Sequence, residues 1–138
     1  MCELIGHLPK PLTGITSLAI GADQLFAEII AQHGGSVEVV IPFDDYEERF
    51  KEAGKSQYWR LLHAASKIEV LQREGSDEEA YLAAGRRIVD LCDILIAVWD
   101  GKPASGLGGT ADVVRYASQT RTSLIHLNPV SRLVLNLD

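Results

Sequence analysis

Basic residues are scarce in this chain of 138 residues: 13 Lys and Arg stand against 19 Asp and Glu, for a net charge of −6. Non-specific binding of nucleic acid rests on neutralising backbone phosphates with Lys and Arg. The acidic balance therefore argues against a long polyanion as partner, and the densest basic spot is only the pair Arg86-Arg87. Cysteine is nearly absent. Cys2 and Cys92 are the two present, too few for a disulfide framework. The 4 histidines, His7, His33, His63 and His126, are scattered without metal-ligand spacing, so no metal site is expected. No apolar run approaches the roughly 20 residues that cross a bilayer. The opening Met1-Cys2-Glu3-Leu4 has neither the basic nor the apolar region of a signal peptide, and a cytoplasmic, non-membrane protein is the expectation. No Ser-His-Asp or Cys-His order points to nucleophilic catalysis.

What the chain does have is alternation. Hydrophobic residues make up 46% and charged residues 23%, the balance of a globular domain. Four short apolar runs, Ile15–Ile20, Val37–Pro42, Ile94–Trp99 and Ser123–Leu127, read as strands buried on both faces, with Lys67–Gln72 a weaker fifth. Helical spacing fills the gaps between them. Asp23–His33 carries Leu25, Phe26, Ile29 and Ile30, and Ser56–Ser66 carries Trp59, Leu62 and Ala65. Ser76 and Glu79 form a capping box that opens a helix to about Leu91, with Tyr81, Ala84, Ile88 and Leu91 toward the core. Ala111–Thr120 carries Val113, Val114 and Ala117. Strands alternating with helices predict an α/β fold: one three-layer Rossmann-like domain over residues 1–138 with a mostly parallel sheet. The charged stretch Asp44–Lys55 reads as a solvated loop or short helix. The tail 131–138, with Leu133, Val134, Leu135 and Leu137, is too apolar to stay in water and is expected to dock as a strand, on its own sheet or on a second copy.

In an open parallel sheet, ligands settle at the carboxyl ends of the strands. Three such ends stand out. Gly21 lets the chain turn into a helix whose N–H groups face a ligand, with Asp23 and Gln24 following; Asp23 reads either as a ribose ligand or as a cap of its own helix. Trp99-Asp100-Gly101 closes the strongest strand, as a sugar or base contact or as a simple turn. Most informative is Gly106-Leu107-Gly108-Gly109-Thr110-Ala111-Asp112. Glycines ahead of a helix allow a nest of N–H donors for phosphate, with Thr110 adding a hydroxyl. It is not a P-loop, because no Lys follows, and it is not the dinucleotide fingerprint. Pro42, with Phe43 and Tyr46, ends another strand, where packing is the simpler reading of the two aromatics.

In order, Gly21-Ala22-Asp23-Gln24, Ile41-Pro42-Phe43, Ala84-Gly85, the run from Asp93 to Gly101, and Gly108-Gly109-Thr110-Ala111-Asp112 make a series. The series resembles the SMF/DprA–LOG (SLOG) superfamily of Rossmann-like domains, which includes the Lonely Guy phosphoribohydrolases, over residues 14 to 129. The resemblance implies a small nucleotide or nucleotide-derived ribose-phosphate ligand, with no further cofactor. Two departures shape the expectation. Lonely Guy enzymes place a glutamate three residues after the loop threonine, where this chain has Val113; Asp112 is the nearest acid and the one catalytic candidate. The family's first strand is missing, with Met1–His7 reading as the end of its first helix, so a truncated start is expected and exchange of the tail between two copies would make a homo-oligomer. A ligand-binding sensor module is therefore the leading reading, an N-glycoside hydrolase acting on nucleoside monophosphates the alternative, and a DNA-handling module the least supported.

Overall fold

Parallel pairing dominates the strand register of the computed structural model, which describes residues 1–73, 75–98, 109–127 and 134–137. A parallel pair needs a crossover, and helices supply it. The chain falls into two compact units, Met1–Gln72 and Arg73–Asp138. The fold is α/β and Rossmann-like, with parallel strands flanked by helices, as the alternating sequence pattern predicts. Among the described residues, no helix is long and apolar enough to cross a membrane.

In the first unit the order is α1 (Cys2–Gly6), β1 (Thr13–Thr16), α2 (Ala22–Gln32), β2 (Ser36–Ile41), a 3-10 turn (Tyr46–Arg49), α3 (Glu52–His63) and β3 (Lys67–Val70). β2 lies between β1 and β3 and pairs in parallel with both. The register puts Gly14, Thr16, Val37, Val39 and Ile41 on one face, all buried. α2 packs there: a Cβ on Gly14 would come within 2.8 Å of Ile30 and 2.9 Å of Phe26. Only a residue without a side chain lets the helix lie that close. Each large apolar side chain sunk in this layer, such as Val39 or Ile30, is worth about 1.5–3 kcal/mol. Arg60 on α3 pairs with Glu28 on α2, and Gln57 donates to the same carboxylate, so the two crossover helices are laced on their outer side.

Several sequence expectations shift here. The run Ile15–Ile20 is a strand only as far as Thr16; Leu18 takes a left-handed φ of 58°, which ends the extended path. On α3 the core face is Tyr58 and Leu61, one position back from the expected Trp59 and Leu62, and Trp59 is exposed. β3 is not buried on both faces, because Ile68 and Val70 both lie open. The charged stretch after β2 is a 3-10 turn followed by the first turns of α3.

The second unit runs α4 (Asp77–Leu91), β4 (Ile94–Val98), α5 (Thr110–Gln119), β5 (Ser123–Leu127) and β6 (Val134–Leu137). Ser76 caps α4 by accepting from the Glu79 N–H at 3.2 Å, half of the capping box read in the sequence. The buried residues of α4 are Ala80, Leu82, Ala84 and Val89; Leu91, expected on the core face, is exposed. β4 and β5 pair in parallel, and β6 closes antiparallel on β5 of its own chain, which places the apolar tail. Val89, Leu95, Ala97, Val114, Ala117 and Leu124 form the core, with Val113, Tyr116, Ile88 and the free Cys92 packed against it.

α4 and α5 approach closely at Gly85. A Cβ there would sit 2.4 Å from Val113 Cγ2. Glycine costs a helix interior about 1 kcal/mol relative to alanine, so its presence on α4 is explained by this contact. Gly85→Ala should destabilise the protein by about 1–3 kcal/mol through overpacking. In a Val113→Ala background the same change should become neutral or stabilising, because only the propensity gain remains. Urea unfolding of the four-variant cycle measures the coupling, and additive effects would contradict the packing assigned to this pair.

Candidate ligand-binding site

The junction after β1 is built around one carboxylate. Gly21 stands at the N-cap of α2 with φ 100°, a conformation that L side chains rarely adopt, and offers no side chain to the helix. Asp23, two residues on, does not cap the helix either. Its Oδ2 accepts from the Ala19 N–H at 3.3 Å, and the Thr16 hydroxyl and Ser17 N–H also bond to it. The Leu18 N–H in turn donates to Thr16 Oγ1 at 3.2 Å. Burial raises the Asp23 carboxyl above its ordinary value of 3.8, against the lowering effect of the three hydrogen bonds, Ala19 first. Gln24 is buried, and its amide donates to the carbonyls of Leu18 (3.1 Å) and Gly54 (3.2 Å). Of the two sequence readings of Asp23, the cap of its own helix is not what the side chain does. The side chain is the organiser of the loop Thr16–Ala19, and Gln24 fastens that loop to the start of α3. Thr16 is the residue the sequence reading missed; a threonine on the last position of a strand, two residues before a left-handed turn, was its signal.

Gly21 is exposed, and the first-turn N–H groups of α2 have no side-chain cap. The aromatic residues after β2 serve packing. Phe43, Tyr46 and Tyr58 are buried, Pro42 is buried beside them, and their rings meet edge to face, Phe43 to Tyr46 at 5.8 Å and Tyr46 to Tyr58 at 5.9 Å. Burial, with the charge of Glu47 behind it, pushes the Tyr58 phenol up to about 12.

In the second unit Gly109 is the N-cap of α5, in extended conformation (φ −75°, ψ 170°) and again with no side-chain cap. Thr110 follows at the first helical position and is exposed, so its hydroxyl reaches solvent at the helix mouth. Among the described residues no side chain caps this helix end, where the partial positive charge of the helix dipole lies. Asp112 lies in that first turn, and Arg115 Nη1 stands 3.6 Å from its Oδ1. Val113 is turned onto Gly85, and the Arg86 guanidinium lies over the Tyr116 ring at 5.4 Å. Trp99, Asp100, Gly101, Gly106 and Gly108 lie outside the described residues. Among the described residues no group of His, Cys, Asp and Glu is placed to hold a metal ion.

The strain of burying Asp23 gives a test of its role. Its carboxyl is raised in the folded state, so folding takes up protons there, and the stability it contributes is full below the ordinary value of 3.8 and lost as pH rises through the folded value. Asp23→Asn keeps one acceptor oxygen and removes the titration. Its stability relative to the parent should climb with pH across that window and then level off. Denaturant unfolding from pH 3 upward, in steps of about 1 unit, reads this difference, and a difference independent of pH would contradict the burial assigned to Asp23.

No family model matches the chain, and no curated protein sequence matches it.

Proposed function

We propose that this chain is a SLOG-type, Rossmann-like module of the cytoplasm that binds a nucleotide or nucleotide-derived ligand through its phosphate, as a sensor of that ligand. The observation that carries the reading is α5: a helix of ten residues that follows a strand and starts on a glycine, with no side-chain cap among the described residues. A nucleotide phosphate placed there accepts from the first-turn amides and from the Thr110 hydroxyl, and its charge meets the helix dipole. The preceding glycines Gly106 and Gly108 fit the same role from their sequence alone, since backbone without side chains approaches phosphate closely.

Binding is better supported than hydrolysis. The hydrolase alternative gives the chemistry to Asp112, but that carboxylate faces its own helix partner Arg115. The neighbouring position that would carry a family glutamate is Val113, and its side chain is taken up in packing on Gly85.

AMP, ADP-ribose, NAD and cyclic nucleotides, each tested by thermal shift, should divide into binders and non-binders. A binder at about a hundredfold over its dissociation constant adds about 2.7 kcal/mol to the stability of the folded state. Gly109→Asp separates the site from the fold. Its backbone angles suit an aspartate cap, which should stabilise α5 by roughly a few tenths of a kcal/mol while placing a negative charge where phosphate would sit. The expected result is a variant that melts no lower than the parent and no longer responds to the nucleotide. A Gly109→Asp variant that still shifts with AMP as the parent does would remove α5 as the phosphate site.

A further inference from the structure

We draw no further inference here: the strongest candidate, the outer edge of β3 with Ile68 and Val70 exposed on one face, carries nothing because nothing in the structure shows what covers it.

Discussion

Parallel strands cannot be joined by a tight turn, and most of the architecture follows from that one restriction. β1 and β2, β2 and β3, and β4 and β5 are all parallel pairs, so α2, α3 and α5 each carry the chain back across a sheet. In an open parallel sheet such helices follow from the carboxyl ends of the strands. The helix amides and the positive end of its dipole are thereby gathered along one edge of the sheet within each unit. What differs from one junction to the next is how the local sequence answers those amides.

The answers are unequal, and the inequality bears on function. α4 is met by Ser76, whose hydroxyl takes the Glu79 N–H. α2 begins on Gly21 and α5 on Gly109, neither with a side chain to offer. At the first of these the nearby carboxylate is spent on holding the strand-end loop, through Ala19, Ser17 and Thr16, so the loop is rigid without the helix being capped. At the second the first-turn acid Asp112 lies against Arg115. Glycine at an N-cap costs only roughly a few tenths of a kcal/mol against serine or aspartate, so these two helix ends go without a side-chain oxygen at little loss of stability. The proposed phosphate would use the donors that a side-chain cap at Gly109 would occupy.

The α/β class, the parallel strands and the Ser76 cap of α4 were legible in the sequence because period and punctuation reinforce each other there. The failures were local and physical. Ile15–Ile20 is continuous in apolar character, but a hydroxyl on Thr16 and a left-handed Leu18 end the strand before Ser17, a hydrogen-bond choice that hydropathy does not record. Trp59 falls at helical spacing with Leu62, but Tyr58 and Leu61, at the same spacing one position earlier, are the pair that reaches the core. Gln24, picked out as a ligand contact, donates its amide to two backbone carbonyls. Its partner Gly54 lies thirty positions away in sequence, so no local pattern announces the bond. Val113 illustrates the converse. Its sequence position raised the question of catalysis, and the glycine opposite it on α4 shows that the side chain is held by packing.

The central claim is that the open N-terminus of α5 receives a phosphate. Titrating AMP into the ¹⁵N-labelled chain and following the amide resonances of Gly109, Thr110 and Ala111 tests it most directly. Direct contact with phosphate predicts large, saturable shifts at these amides, carried also by inorganic phosphate at higher concentration and absent with adenosine. Amides of α5 that stay in place while AMP saturates elsewhere, or that move equally with adenosine, would contradict the claim.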